Sequence, residues 1–170
     1  MGLVSRTRNP ENGQEIMATA SIAVQNTLQW EGGYSANSAD PGGATNMGIL
    51  QSDVPQIPIE NLTMQQAIEY YIVHYWKPLY AQIESQAVSS KLFDMGVLFG
   101  VVTATALLQE VLQITHDGIF GPDTLQELNE HGDNILPAYR TRLAEHAQSV
   151  VAAKPETNIF LAGWIRRING

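Results

Sequence analysis

The sequence contains no cysteine in its 170 residues, so it can form neither disulfide bonds nor thiolate metal sites. It also lacks a Gly-x-Ser-x-Gly motif, which argues against a serine nucleophile of the hydrolase type. Histidines are few and too far apart to form the His-Glu-x-x-His motif of a zinc amidase: His74, His116, His131 and His146. We therefore expect no metal ion or other cofactor, and a fold stabilised by packing.

Basic residues are scarce. The chain has 9 lysines and arginines against 17 acidic residues, a net charge of −8, and between Asn9 and Tyr139 only Lys77 and Lys91 are cationic. A nucleic-acid-binding protein needs a basic patch to neutralise phosphates. We therefore expect no nucleic-acid partner.

Long hydrophobic runs are also missing. The longest apolar stretch, MGVLFGVVTATALL, has about 14 residues and contains glycines and threonines, so it predicts a buried core helix rather than a membrane span. The first twenty residues hold no uninterrupted hydrophobic segment after their basic residues, so they do not resemble a standard secretory signal. We expect synthesis in the cytoplasm, with no membrane insertion.

What remains is the composition of a globular protein, with 44% hydrophobic and 15% charged residues. The apolar spacing is mostly helical and strand signals are few, which predicts a mainly α fold. Residues 32–47 are the largest irregular segment, long enough for a short hairpin. Residues 1–16 are polar and are expected to form a flexible N-terminal extension.

Local signals predict where the helices begin and end. A first helix is expected over Ala18–Trp30, with Thr19 or Ser21 as its N-cap and Gly32-Gly33 as its stop. A capping box of Thr63 with Gln66 should open a second helix, which Pro78 ends. Further helices are predicted over 86–114 with a bend near Gly96 or Gly100, from Pro122 onward, over 135–153 and over 159–168.

The segment WEGGYSANSADPGGATNMGI, from Trp30 to Ile49, combines loop-forming glycines with residues that carry chemistry. Glu31 should lie at the negative end of a helix, beside the aromatic Trp30, and both features raise a carboxyl pKa. Asp40 lies in an open polar turn and should stay ionised. Two carboxyl groups with separated pKa values are typical of glycoside hydrolysis. The alternative is an exposed glutamate followed by an ordinary Asp-Pro-Gly turn.

EGGYSANSADPGGATNMGI resembles the opening motif of the glycoside hydrolase 108 family, which are muramidases of phage and bacterial origin. YYIVHYW is similar to the aromatic helix of that family, KLFDMGVLFG to its core helix, LLQEVLQITHDGIFGPDT to its peptidoglycan-domain segment, and FLAGWIRRI to its Gly-Trp-x-x-Arg ending. The resemblance covers roughly residues 18–168. It implies a lysozyme-like helical region at 17–100 with a Gly-rich active-site loop, and a helical peptidoglycan-domain region at 101–170 packed against it as one unit.

The order of Glu31, Asp40 and Thr45 also resembles the catalytic triad of phage lysozymes. By that resemblance Glu31 is the general acid, while Asp40 and Thr45 position and activate water. The implied reaction is hydrolysis, with inversion, of the β-1,4 bond between N-acetylmuramic acid and N-acetylglucosamine. Inversion requires the two carboxyl groups to lie roughly 6.5–9.5 Å apart.

Four residues are candidates for substrate binding: Tyr34, Asn46, Tyr71 and Tyr75. By contrast, Trp76 is expected to pack in the core, and Asp94 is expected to be a buried, hydrogen-bonded structural carboxylate.

Several hypotheses about the function stay open at this point. A lytic transglycosylase would need Glu31 without a water-activating aspartate, and a non-catalytic peptidoglycan-binding module would need neither. Chitinase-type specificity is a more distant alternative. The expected partner is the glycan strand of peptidoglycan, met by a monomeric protein in the cell wall or periplasm after release or export. Phage lysis and bacterial wall remodelling both fit.

Overall fold

The structure is a computed structural model that describes residues 18–36 and 43–170. The described part is mainly α, as predicted, with seven α-helices and one two-stranded antiparallel sheet. The helices are α1 (Ala18–Leu28), α2 (Met64–Tyr75), α3 (Gln86–Phe99), α4 (Val101–Leu112), α5 (Pro122–His131), α6 (Leu136–Ala153) and α7 (Asn158–Asn169). The strands are β1 (Thr45–Asn46) and β2 (Ile49–Leu50), with Thr45 opposite Leu50. Short 3-10 helices cover 51–53, 59–61, 78–82, 132–135 and 155–157.

Most of the predicted boundaries are confirmed, because they depend on local chemistry. The capping box is complete: the Thr63 side chain accepts from the Gln66 backbone N–H, and the Gln66 side chain accepts from the Thr63 N–H. Pro122 is the first residue of α5. Gly100 separates α3 from α4. Its φ of +91° is a backbone conformation that only glycine adopts without strain.

The predicted cap of the first helix is wrong. Both Thr19 and Ser21 lie inside α1, which already includes Ala18. The proposed extension at 1–16 lies outside the described residues.

Helix α3 is the centre of the fold. All residues from Val88 to Gly96 are buried, as expected for a helix that is covered on all sides. It packs against α1 on one side and α4 on another. One apolar cluster joins α3 to α4–α7, and a second joins Phe93 of α3 to α1, α2 and the hairpin. Trp76 packs against both clusters, which confirms its predicted place in the core.

A single buried glutamine holds the loop between α4 and α5. Gln109 is 2% exposed, and its amide nitrogen donates to Asp117 Oδ1, the Ile119 carbonyl and Thr124 Oγ1, each at 3.0 Å. Its amide oxygen accepts from the Gly118 N–H at 2.8 Å. The Ile119 N–H and then Gln109 hold the pKa of the Asp117 carboxyl below its usual value. The turn predicted at THDGIFGPDT is therefore held by a side chain of the preceding helix, α4.

None of the described helices combines the length and the apolar character needed to cross a membrane.

Candidate active site

Glu31 stands in the turn that follows α1. The helix ends at Leu28. The Trp30 N–H then donates to the Thr27 carbonyl at 2.9 Å, and this hydrogen bond closes a tight turn just before Glu31. The Glu31 side chain is 17% exposed, which leaves it reachable from solvent while most of its surface is covered. This position fits the predicted place near a helix C-terminus.

The Glu31 carboxylate is paired with Arg167 of the last helix, α7. Arg167 Nη1 lies 2.9 Å from Glu31 Oε1. The same guanidinium contacts the buried Asp94 of α3, with Nη2 at 2.9 Å and Nε at 3.0 Å from Oδ1. The backbone carbonyl of Arg167 accepts a hydrogen bond from Lys91 Nζ at 2.8 Å. Asp94 is thus the buried, hydrogen-bonded carboxylate that the sequence predicted.

These charges are buried together and compensate one another. Arg167 is 8% exposed; burial acts to lower its pKa, but the Asp94 and Glu31 carboxylates outweigh burial, so the pKa of Arg167 is raised. Burial lowers the pKa of Lys91, and the nearby positive charges of Arg140 and Arg167 lower it further. The Asp94 carboxylate acts in the opposite direction and raises that pKa. A buried charge is tolerated best when it is paired and hydrogen-bonded. Arg167 is paired with two carboxylates, and Lys91 donates a hydrogen bond to a backbone carbonyl.

The other oxygen of Glu31 faces the turn of the β-hairpin. Gly48 has a φ of +74°, and a Cβ atom built there would come within 2.5 Å of Glu31 Oε2 and of the Tyr71 hydroxyl. That hydroxyl donates to the Met47 carbonyl at 2.9 Å. The hairpin turn can therefore approach Glu31 closely only because residue 48 lacks a side chain.

Backbone pairing links Thr45 to the segment that follows Glu31. The Thr45 and Ser35 backbones exchange two hydrogen bonds of 2.8 Å, which join the segment after Glu31 to the hairpin that carries Thr45. The neighbouring Asn46 uses its side-chain amide to donate to the Ile59 carbonyl at 3.0 Å. Asn46 thus anchors the hairpin to the 3-10 helix at 59–61.

The tyrosines predicted to bind substrate differ in position. Tyr34, three residues after Glu31 in the chain, is 53% exposed. Tyr71 is 2% exposed, so its ring has no open face for a sugar, and its contacts support the hairpin turn instead. Tyr75 is half-buried beside Tyr71, and burial, then the carboxylates of Asp53 and Glu31, raise its pKa.

Asp40 lies outside the described residues, since 37–42 are not among them. Its pairing with Glu31 and the distance between the two carboxyl groups stay predictions.

Two residues of the site were missed by reasoning from the sequence. In the sequence, Arg167 stands out only as one of the basic residues near the end of the chain and as the last residue of the Gly-Trp-x-x-Arg ending, and Gly48 does not stand out at all. The arginine that closes the Gly-Trp-x-x-Arg motif of this acidic protein is the signal that could have suggested a partner for Glu31. Within the described ranges, no group of three His, Asp or Glu side chains could hold a metal ion.

Two protein-family models match this chain, and each includes residues of the candidate site. The family model described as Glycosyl hydrolase 108 matches residues 24–100, which include Glu31, Thr45, Gly48 and Asp94. The chain therefore contains a region of the glycosyl hydrolase 108 family, at residues 24–100. A second model, described as Predicted Peptidoglycan domain, matches residues 103–169, which include Arg167. The protein is therefore a glycoside hydrolase whose second region indicates peptidoglycan as the substrate.

A solved structure of similar fold is SagA from Brucella abortus. It has 26% sequence identity and a TM-score of 0.70, over 90% of this chain and 91% of that chain. Together with the family match, it shows a mainly α, lysozyme-like fold followed by a helical peptidoglycan-domain region. No curated protein sequence matches this chain significantly.

Proposed function

We propose that this glycosyl hydrolase 108 protein is an N-acetylmuramidase of the lysozyme type. It would cleave the β-1,4 bond between N-acetylmuramic acid and N-acetylglucosamine, with Glu31 as the general acid. The observation that carries the proposal is the contact between Glu31 Oε1 and the Arg167 guanidinium at 2.9 Å, on a carboxyl group that remains 17% exposed.

This contact suits a general acid because of the charge that develops during proton transfer. When the protonated Glu31 gives its proton to the leaving glycosidic oxygen, it becomes a carboxylate. The Arg167 guanidinium is already in place to stabilise that negative charge, and it is itself held by Asp94, so little reorganisation is needed.

In the same proposed step, as the leaving oxygen takes the proton from Glu31, a water molecule attacks the opposite face of the sugar. Asp40 would act as its base and Thr45 would help to hold it, which gives inversion of configuration. Proton NMR of the first product, recorded before mutarotation, should then show the α-anomer. A β-anomer would mean retention, with Asp40 as nucleophile.

The role of Glu31 is tested by Glu31→Gln, which keeps the size of the side chain but cannot donate the proton. Release of reducing ends from purified peptidoglycan should fall by at least about 10²-fold, the lower end of what general acid catalysis contributes. The matched control is Glu60→Gln, an exposed glutamate in the 3-10 helix at 59–61.

Both variants should keep the wild-type circular dichroism spectrum and thermal transition within a few degrees. A folded Glu31→Gln protein that digests peptidoglycan at the wild-type rate would refute the assignment of Glu31.

A further inference from the structure

A groove opens beside Glu31 between the turn after α1 and the helix α7. Its volume is about 370 Å³. Its walls come from both family regions: Trp30 and Leu98 belong to the glycosyl hydrolase 108 match, while α7 belongs to the peptidoglycan-domain match. The α7 residues on its wall are Ile159, Phe160, Ala162, Gly163, Trp164, Arg166 and Arg167.

The groove presents aromatic rings to solvent. Trp30 is 44% exposed and Phe160 is 53% exposed. The Phe160 and Trp164 rings are stacked, with centroids 6.0 Å apart and planes 23° apart. A large exposed apolar surface on a folded protein commonly marks a binding site, and flat aromatic faces suit the apolar face of a sugar ring. Packing within the protein therefore leaves about half of the surface of Trp30 and of Phe160 uncovered.

One wall of the groove also carries a cation. Arg167 is neutralised by Glu31 and Asp94, whereas Arg166 is exposed and forms no ion pair with any described residue. In a chain with a net charge of −8, an exposed arginine that pairs with no carboxylate of the described part, beside exposed aromatic rings, indicates an anionic ligand group.

The groove shares a wall residue, Arg167, with the candidate active site. Trp30 immediately precedes Glu31 in the chain, and Arg167 both lines the groove and lies 2.9 Å from Glu31 Oε1. A ligand in the groove would therefore lie beside the ion pair of Arg167 and Glu31.

We propose that this groove is the subsite for a muramyl residue of the glycan strand. The sugar ring lies against Trp30 and Phe160, and a carboxylate of the muramyl substituent pairs with Arg166. This inference rests on the proposed muramidase function, because only the muramyl unit of that substrate carries a carboxylate. It also means that α7 supplies part of the catalytic cleft rather than a separate binding surface.

The first test separates binding from chemistry with Phe160→Ala and Arg166→Gln. Each should raise KM for peptidoglycan about tenfold, as expected for the loss of a central binding contact, and change kcat by less than about twofold. Two controls remove similar groups elsewhere on the surface. Val73→Ala truncates a side chain that is 77% exposed on α2, and Lys154→Gln removes an exposed positive charge.

The second test identifies the group that pairs with Arg166. Binding is measured with the inactive Glu31→Gln protein, using the change in tryptophan fluorescence, since two of the three tryptophans line the groove. The ligands are a glycan fragment with stem peptides, the same fragment with a free lactyl carboxylate and no peptide, and a chitin oligomer. Arg166→Gln should weaken binding of a muramyl ligand and leave chitin binding unchanged. If only the fragment with stem peptides binds more weakly, the carboxylate belongs to the peptide; if the fragment without peptide does so, it is the lactyl carboxylate.

Two results would overturn the proposal. One is an unchanged KM for both folded groove variants, and the other is an equal loss of chitin and muramyl binding in Arg166→Gln. Failure of the muramidase function looks different, because the wild-type protein would then release no muramyl reducing ends from any substrate.

Discussion

At the scale of single residues, Arg167 determines the environment of Glu31 more than any other side chain. It binds Glu31 and Asp94 with one planar guanidinium and is 8% exposed. Arginine can hold two carboxylates in a fixed geometry, whereas lysine offers a single point charge. Arg167 should therefore act as a positioning residue for the general acid.

We predict that Arg167→Lys will keep the fold but lower kcat about 10²-fold with little change in KM, because small misplacements of a catalytic group are this costly. The matched control is Arg142→Lys, since Arg142 pairs with Glu110 away from the site. Steady-state kinetics on soluble peptidoglycan fragments provide both parameters. A wild-type kcat in Arg167→Lys, alongside an inactive Glu31→Gln, would show that Glu31 does not need this contact.

Gly48 gives an independent test of the same geometry. In Gly48→Ala the added Cβ would lie 2.5 Å from Glu31 Oε2, so the carboxylate or the hairpin turn must move. Gly43 also has a positive φ, +76°, but a Cβ there would meet nothing within 4 Å. Both alanine variants should lose about 1 kcal/mol of unfolding free energy from the left-handed backbone conformation.

Only Gly48→Ala should also lose activity, by at least about tenfold, because only there does the added atom displace the acid. Equal activity losses in the two variants, measured per folded molecule, would argue against a close packing of the hairpin on Glu31.

At the scale of elements, the connection between α4 and α5 depends on Gln109. We predict that Gln109→Leu will lower the unfolding free energy by about 2–4 kcal/mol, because it removes the hydrogen bonds of two buried partners, the Gly118 N–H and Thr124 Oγ1. The control Gln126→Leu, at an exposed position on α5, should change it by less than about 0.5 kcal/mol. Urea denaturation measures both. A stable Gln109→Leu protein would mean that the loop is held mainly by other contacts.

The elements that could be predicted from the sequence are those with local signals. The Thr63–Gln66 capping box, Gly100 and Pro122 act on the residues next to them, so their effects are visible without a structure. The first helix shows the limit, since Thr19 and Ser21 have good capping side chains but lie inside α1. Nothing in their neighbours shows that the helix has already begun.

The candidate site could be predicted only in part, for a related reason. Glu31 and Thr45 lie in one short motif, and a resemblance over that motif was enough to select them. Arg167 and Glu31 lie near opposite ends of the chain, and only the packing of α7 beside α3 brings them together. Tyr71 had an aromatic side chain suited to sugars, but its burial is a property of the tertiary fold.

At the scale of the whole molecule, the division near residue 100 into two regions stays a prediction, with family matches at 24–100 and 103–169. Arg167 of the second region contacts Glu31 and Asp94 of the first region. If the groove and the ion pair work as proposed, both regions contribute to one cleft.

The overall charge of −8 leads to a prediction about salt. Long-range attraction to an anionic cell wall is not available to this protein, so binding must depend on short-range contacts in the cleft. Raising the ionic strength from about 0.05 to about 0.15 M, where the Debye length is near 8 Å, should leave the rate of peptidoglycan digestion unchanged or increase it. A steep fall in that rate would indicate that a local basic patch dominates binding.

The central claim is that the protein hydrolyses the bond that follows N-acetylmuramic acid, with Glu31 as the acid. Mass spectrometry of peptidoglycan digested in heavy-oxygen water tests it most directly. The account predicts new reducing muramic-acid ends that each carry one heavy oxygen atom, formed by the wild-type protein and not by Glu31→Gln. Reducing glucosamine ends, free stem peptides, or 1,6-anhydro-muramic ends without heavy oxygen would contradict it, and the last would make the protein a lytic transglycosylase.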